Sequence, residues 1–195
     1  MYEYISGTLA ELNPAEAIIE AGGIGYQVLI SLNTYGQIES RLGGSVKLYL
    51  YHLLREDDEA LYGFSSKDER ALFTLLISVN GVGPGTARMM LSSLSQEELQ
   101  NAIIGQDVRK IKSIKGIGTK TAERIILELK DKIIKGAGSA PSAVAGSNAA
   151  REEAFNALIL LGFSKPNVEK ALDMVLKDNP TIGLENLIKN SLKIL

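Results

Sequence analysis

The chain has 195 residues, of which 45% are hydrophobic and 23% charged, and its formal net charge at pH 7 is −2. This composition is typical of a soluble globular protein and excludes a disordered or fibrous chain. The absence of cysteine excludes disulfides, thiolate metal sites and cysteine catalysis, and the single histidine, His52, excludes an imidazole cluster. No apolar run approaches the about 20 residues of a bilayer span, and the first residues lack a basic and apolar leader. We therefore expect a cytoplasmic protein with no membrane segment, metal or cofactor.

The charge is distributed unevenly along the chain. Residues 1–64 carry a net charge of −6, residues 65–135 carry +4, and residues 136–195 are neutral. Because attraction to phosphate is screened within about 8 to 10 Å at physiological ionic strength, the middle segment can bind a polyanion although the whole chain is acidic. The distribution indicates separate tasks for the three segments.

The first segment has the alternating pattern of β-strands. We predict five short strands, at 1–9, 16–21, 26–31, 46–54 and 60–64. Gly22 and Gly23 fit a hairpin connection between the second and third. Five such strands favour a small barrel such as the OB-fold over half of a sandwich. Tyr49 and Tyr51 share one face of the fourth strand, and since the segment is acidic we expect them in the core or at a subunit interface rather than stacked on bases.

The period becomes helical after Ser65 and Ser66, either of which is a candidate N-cap. A first helix is predicted directly after this cap, and four more at 86–94, 96–105, 107–113 and 119–135. Three amphipathic helices are predicted at the end of the chain, at 152–161, 165–177 and 184–195.

Between the two helical regions lie residues 136–150, which include no charged or aromatic side chain and predict a flexible linker. The fold class is therefore α+β and multidomain. Its parts are a barrel domain at 1–64, an all-α domain at 65–135, a linker at 136–150 and a three-helix module at 151–195.

One sequence pattern occurs twice in the basic segment, at residues 79–88 and 114–124. In each copy an apolar helix end is followed by Gly-apolar-Gly, at 81–83 and 116–118, and by the start of another helix. This is the helix-hairpin-helix pattern. Its glycines allow the main chain to approach a phosphate closely, and the amides of the following helix N-terminus form an anion site. Two copies in the basic segment favour nucleic-acid binding over a purely structural repeat, through backbone contacts that read no base sequence.

The candidate DNA-binding residues are Gly81, Val82, Gly83, Gly85, Thr86, Arg88, Gly116, Ile117, Gly118, Thr119, Lys120 and Thr121. Further positive charge surrounds the second copy at Arg109, Lys110, Lys112 and Lys115, where for each residue a solvated helix face explains the charge equally well.

Four consecutive acidic residues, at 56–59, lie between the last two predicted strands. By themselves they are typical of a soluble turn. A metal site is disfavoured, since carboxylates adjacent in sequence rarely converge on one ion.

The chain resembles the RuvA family, the bacterial Holliday-junction recognition subunits of the branch-migration machine. The features that carry the resemblance are MYEYISGTL at the start, REDD ahead of ALYGF, NGVGPGTA, GIGTKTAERIILELKDK, the uncharged linker, and LGF in the last module. Tandem hairpins alone are shared with polymerases, glycosylases, ligases and nucleases. The order and spacing of all these features, over essentially the full length, is specific.

The resemblance implies an OB-fold domain, a domain with two helix-hairpin-helix motifs, and a mobile third domain that contacts the hexameric ATPase RuvB. It also implies homotetramers, one or two of which hold a four-way junction open, and a junction-resolving endonuclease as a further partner. Glu56 and Asp57 match the family's acidic pin, which Asp58 extends. Leu158, Leu161 and Phe163 match the motor-binding surface, although on sequence alone these three fit the core better.

Two positions depart from the family's pattern. Gly85 stands where lysine is frequent and Thr119 where a basic residue is frequent, so we expect those side-chain phosphate contacts to be missing and the backbone contacts to remain.

The function that follows is non-enzymatic binding of four-way junctions, with ATP hydrolysis supplied by a separate motor, because no Walker A pattern occurs in the chain. The alternative is a helix-hairpin-helix repair enzyme of the glycosylase or nuclease type. Such glycosylases place a catalytic aspartate after the hairpin, whereas here Thr121 runs into a plain helix. A protein-interaction adaptor would leave the repeat unexplained.

Overall fold

The computed structural model describes residues 2–56, 59–137 and 146–195, and of residues 135–137 and 146–149 it describes only the backbone. The chain divides into two compact units, Met1–Gly138 and Ser139–Leu195. The first unit holds two hydrophobic clusters, one inside a barrel and one between the barrel and a layer of helices. The second unit has a core of its own.

The first unit begins with five strands. These are β1 (Tyr4–Asn13), β2 (Glu16–Ala21), β3 (Ile24–Ile30), β4 (Ser45–Leu54) and β5 (Glu59–Phe64). They close into a barrel in the order β1-β2-β3-β5-β4, in which all neighbours are antiparallel except the parallel pair β3 and β5. The predicted barrel is confirmed, and the half-sandwich is excluded.

Strand β1 begins later and ends later than predicted. It pairs with β4 from Tyr4 to Thr8 and with β2 from Thr8 to Asn13, and its register shifts between Leu9 and Glu11. A bulge of this kind bends a strand, which here allows β1 to pair with both neighbours and close the barrel. The prediction ended at Leu9 because the alternation of apolar residues changes phase at the bulge.

A short helix that the sequence pattern did not predict follows β3. This is α1 (Leu32–Ile38), continued by a single 3-10 turn, Glu39–Arg41. Ser31, predicted as the end of the third strand, is instead the N-cap of α1, and its Oγ accepts a hydrogen bond from the Thr34 amide at 3.0 Å. About two turns of apolar periodicity, interrupted by Gly36, are too short a signal to separate from a loop.

The remaining helices lie near their predicted positions. The first unit continues with α2 (Lys67–Ile77), α3 (Pro84–Ser93), α4 (Gln96–Ile104), α5 (Val108–Lys112) and α6 (Thr119–Ala137). The second unit consists of α7 (Gly146–Leu160), α8 (Lys165–Asp178) and α9 (Leu184–Leu192). Helices α6 and α7 therefore enter the range expected to be a linker, and its middle, residues 138–145, lies outside the described residues. None of the described helices is long and apolar enough to cross a membrane.

Helix α2 packs its apolar face onto the outside of the barrel. The ring of Phe73 lies 5.3 Å from that of Tyr51, 5.2 Å from Tyr62 and 4.9 Å from Phe64, measured between centroids. Tyr51 thus packs against the core, as expected, rather than presenting a face to bases. The barrel and the hairpin region share this core, so the predicted boundary between residues 64 and 65 does not separate two independent bodies.

A buried carboxylate connects α1 to the start of α2. Glu69 is only 4% exposed, and its Oε1 accepts a hydrogen bond from Ser31 Oγ at 2.6 Å. Its Oε2 accepts from Thr34 Oγ1 at 2.7 Å and from the Ser65 amide at 3.3 Å. Such bonds compensate a carboxylate for the water it loses on burial.

An ion pair at the surface connects α2 to the first residues of the chain. The Arg70 guanidinium donates to both carboxylate oxygens of Glu3, at 2.7 and 3.0 Å, and to the carbonyl oxygen of Leu50 at 3.2 Å. The hydrogen bond from Arg70 lowers the pKa of Glu3. A lowered carboxyl pKa stabilises the folded protein at pH values above the ordinary pKa of glutamate. That stability is lost as the pH falls through the lowered pKa. The contribution is small because Glu3 is exposed to solvent.

We expect Glu69→Gln to lower the free energy of unfolding by about 1 to 3 kcal/mol, because an uncharged amide accepts fewer of these hydrogen bonds. The measurement is urea unfolding followed by circular dichroism. Glu97→Gln is the matched control, since Glu97 is also in the first turn of a helix but is exposed. Equal midpoints for the two variants would contradict a stabilising role for the buried network.

Candidate nucleic-acid interface

The two helix-hairpin-helix copies have the same backbone hydrogen bonds. In each copy one bond closes the turn and a second begins the helix that follows. In the first copy these bonds are Val82 N–H to Val79 O at 3.0 Å and Ala87 N–H to Gly83 O at 2.9 Å. In the second they are Ile117 N–H to Ile114 O at 3.1 Å and Ala122 N–H to Gly118 O at 2.9 Å. All eight positions correspond at one constant offset in the sequence, so the sequence repeat is also a structural repeat.

The two glycines of each turn have different roles. The first glycines, Gly81 and Gly116, have φ of 92° and 87°, in the left-handed region that residues with a Cβ rarely adopt. The second glycine of the first copy, Gly83, has a φ of −84°, which any residue can adopt. A Cβ added at Gly83 or Gly118 would meet no protein atom within 4 Å. The fold therefore requires the first glycine, whereas the second leaves open space in front of the turn.

The apolar residue between the glycines is part of the core. Val82 and Ile117 are each 5% exposed and lie in the core that the helices share with the barrel. Of these two candidate residues only the backbone can contact a ligand. The flanking glycines are exposed in both copies.

Each turn leads into a helix N-terminus. Gly83 is the N-cap of α3 and makes no side-chain cap hydrogen bond, and Pro84 at the first helical position has no N–H to offer. The first N–H groups of an α-helix have no partner within the helix, and the helix dipole favours an anion beside them. The candidate donors are the amides of Gly85 and Thr86 in α3 and those of Thr119, Lys120 and Thr121 in α6.

Some side chains of the candidate residues are exposed to solvent, and others contact the rest of the protein. Thr119 and Lys120 are exposed, and Thr86 and Thr121 are half-buried. Arg88 is engaged in the fold, because its guanidinium donates to the carbonyl oxygen of Ala15, between β1 and β2, at 3.0 Å. That bond holds α3 to the barrel.

The basic residues around the second copy are partly paired. Lys110 Nζ lies 3.5 Å from Glu98 Oε1, whereas Arg109, Lys112 and Lys115 are exposed. Hydrogen bonds from Ser95 to the Glu98 carboxylate lower the pKa of Glu98, and the charge of Lys110 lowers it further. Among the described residues, no group of three or more carboxylate or imidazole side chains could hold a metal ion.

The acidic segment, residues 56–58, lies in the sequence between β4 and β5, which pair in antiparallel fashion. Glu56 is exposed, and Asp57 and Asp58 lie outside the described residues. In this pair of strands His52 Nε2 lies 2.8 Å from Glu59 Oε1, a contact that joins the two strands.

The C-terminal unit places the three expected motor-binding residues differently. Leu158 is fully buried in the core of this unit, as the sequence alone suggested, and its place on a partner surface stays a prediction from the resemblance. Phe163 is half-buried against the same core, and Leu161 is 61% exposed. Leu160, which is not one of these three residues, is 88% exposed. The apolar spacing from Ala154 to Leu158 marks the buried face of α7, and that spacing could have shown that Leu160 lies off it.

Comparison with protein-family models matches three regions of the chain. Residues 1–63 match the RuvA N terminal domain, residues 73–131 the SAM-like helix-hairpin-helix tandem, and residues 149–195 the RuvA C-terminal domain. Curated relatives named Holliday junction branch migration complex subunit RuvA are 49% identical in Bacteroides fragilis, 46% in Christiangramia forsetii and 39% in Porphyromonas gingivalis. Each alignment covers at least 99% of both chains. The chain belongs to the RuvA family.

Membership of the RuvA family confirms the resemblance seen in the sequence and agrees with the architecture of barrel, tandem hairpins and helical C-terminal unit. The matched tandem at 73–131 includes both turns and most of α6.

We expect the double variant Gly83→Val and Gly118→Val to bind DNA at least about tenfold more weakly, because the new side chains fill the space where a phosphate must approach. Stability should change little, since no protein atom stands in that space. The measurements are fluorescence anisotropy with labelled DNA and thermal unfolding.

Gly183→Val is the matched control. Gly183 is also the N-cap of a helix, α9, with open space around its Cβ position, but it lies outside the repeat. Unchanged binding by the double variant would mean that the hairpins serve only the fold.

Proposed function

We propose that the chain binds four-way DNA junctions as a structural subunit and acts together with a separate ATPase motor. The observation that carries the proposal is the pair of hairpins with identical backbone bonds, both in the basic segment of a RuvA-family chain. Backbone amides contact phosphates without reading base edges, so they suit a ligand that is defined by its shape. The relatives are named as subunits of a branch migration complex, which agrees with this role.

The assembly that we propose is a homotetramer. An open four-way junction presents four equivalent arms, and a closed ring of four copies would offer each arm the same pair of hairpins. A second tetramer could cover the opposite face of the junction, or leave that face to a junction-resolving endonuclease.

The proposed role involves no catalysis by this chain, and its location is the cytoplasm. ATP hydrolysis needs a phosphate-binding loop, and no Walker A pattern occurs in the sequence. In the region where a hairpin glycosylase needs its aspartate, Thr119, Lys120 and Thr121 lead directly into the body of α6. These features favour a scaffold over a repair enzyme.

Two further surfaces complete the proposal. The acidic segment at 56–58 would stand at the centre of the ring and repel phosphates of the crossing strands. On the C-terminal unit, Leu160 and Leu161 would form the motor contact, with Phe163 beside them. Adjacent exposed leucines are the kind of apolar surface that a protein partner covers.

The direct test is a competition for binding between a synthetic four-way junction and linear duplexes of the same sequences. We expect the junction to bind at least about tenfold more tightly, with little effect of base sequence. The logarithm of affinity should fall against the logarithm of salt concentration with a slope near 0.9 for each phosphate neutralised. Equal affinity for junction and duplex would refute the proposal.

For the acidic segment, we expect Glu56→Gln with Asp57→Asn to bind junctions more tightly and to alter motor-driven branch migration. Removing the negative charge removes its repulsion of phosphates, which otherwise lowers affinity but keeps the crossing strands apart. Gel-shift titration and a branch-migration assay with the motor give the two readouts. Glu39→Gln, at an exposed acidic residue in the 3-10 turn, controls for the overall change in charge. If the double variant behaves like the parental protein in both assays, the acidic segment has no role beyond that of a soluble turn.

For the C-terminal unit, we expect a chain that ends after Ala137 to retain tetramers and junction binding but to lose motor-driven branch migration. The first unit keeps both of its hydrophobic clusters in such a chain. Leu160→Ser with Leu161→Ser in the full chain should reproduce the motor defect, whereas Met174→Ser, at an exposed apolar residue of α8, should not. Loss of junction binding on truncation would place part of the DNA site in the second unit.

A further inference from the structure

A single side chain connects the second hairpin to the first. Arg124 lies on α6, the helix that follows the second turn, and its guanidinium donates to the carbonyl oxygen of Asn80 at 3.1 Å. Asn80 directly precedes Gly81, the residue of the first turn with a φ of 92°. The helix of one copy therefore holds the turn of the other, across 44 residues of sequence.

The position of this bond determines what it orients. The carbonyl of Asn80 and the N–H of Gly81 belong to one planar trans peptide unit, so they point in opposite directions. A donor that fixes the carbonyl also fixes the direction of the Gly81 amide. The bond that closes the turn, from Val82 N–H to Val79 O, does not involve this peptide unit. The hydrogen bond from Arg124 is therefore the one that fixes the rotation of the peptide.

The two halves of the repeat differ at this link. At the offset that relates the two copies, Arg124 corresponds to Met89 and Asn80 to Lys115. Met89 is 41% exposed, and a thioether has no hydrogen to donate, so its side chain cannot hold the second turn in the same way. Two arginines hold the first hairpin in place. Arg88, on α3, donates a hydrogen bond to the barrel, and Arg124, on α6, donates one to the first turn.

We propose that Arg124 is a positioning residue that sets the orientation of the first hairpin against the second, so that both turns meet the phosphates of one DNA arm together. The proposal rests on the proposed function. Two sites gain affinity from acting together only if their geometry allows both to engage at once. Loss of the link should therefore lower affinity through the first hairpin, although Arg124 itself belongs to the second.

The competing explanation is that Arg124, an exposed arginine, binds a phosphate directly. The two explanations differ in a double-mutant cycle with Gly83→Val, the variant that blocks the first turn. A positioning residue acts through the first hairpin, so its effect on affinity disappears once that hairpin is blocked. A phosphate ligand of the second hairpin keeps its effect in the Gly83→Val background.

The experiment uses the full chain with Arg124→Met, which gives α6 the residue found at the same place in α3. We expect junction affinity to fall about fivefold, which is within the range that a typical hydrogen bond contributes. This loss should vanish in the Gly83→Val background. Arg124→Lys, which keeps the charge but not the guanidinium geometry, should recover only part of the loss.

Hydrogen exchange of the free protein provides a readout that needs no DNA. In Arg124→Met the Val82 amide should exchange several-fold faster, while the Ile117 amide, its counterpart in the second turn, should not change. Arg109→Met, at an exposed arginine outside both turns, should leave both amides unchanged.

Two results would overturn the inference. One is unchanged exchange at Val82, and the other is a full loss of affinity in the Gly83→Val background. If the parental chain fails to prefer junctions, the proposed function fails and the role of Arg124 in binding fails with it, whereas faster exchange at Val82 would still support the link between the hairpins.

Discussion

The packing of Phe73 against the outside of the barrel is the contact on which the rest of the first unit depends. Its ring meets three aromatic side chains of β4 and β5, and the apolar residues of both hairpin turns lie in the same core. The hairpins consequently cannot shift against the barrel without opening this core, because protein interiors are close-packed and deform little. Duplex DNA is stiff over about 50 nm, so two backbone sites can engage it together only if the protein holds them at a fixed separation.

The same core explains why the fold needs only the first glycine of each turn, which leaves the second available for the proposed phosphate contact. With Val82 drawn into the core, the chain must reverse direction immediately before it, and this places Gly81 in the left-handed region. After Val82 the chain is already extended into the N-cap of α3, where Gly83 is under no such constraint. The fold constrains the first position, and the proposed phosphate contact would constrain the second.

Patterns that depend on local periodicity were predictable from the sequence. The five strands, the tandem turns and the three C-terminal helices follow from apolar spacing and from glycine at fixed positions. Contacts between distant residues were not predictable. Glu69 meets Ser31 across 38 residues and Arg124 meets Asn80 across 44, and no short-range pattern records either pair. Leu158 was assigned to a surface through a resemblance, although its own spacing placed it in the core.

The candidate donors of both hairpins are main-chain amides. A backbone N–H does not titrate in the physiological range and is not a target of acetylation or phosphorylation, which act on side chains. Acetylation of the exposed Lys115 or Lys120 would therefore weaken the electrostatic attraction around the turns without altering the proposed backbone donors themselves. Such a modification would change how fast the protein reaches DNA more than which DNA geometry it holds.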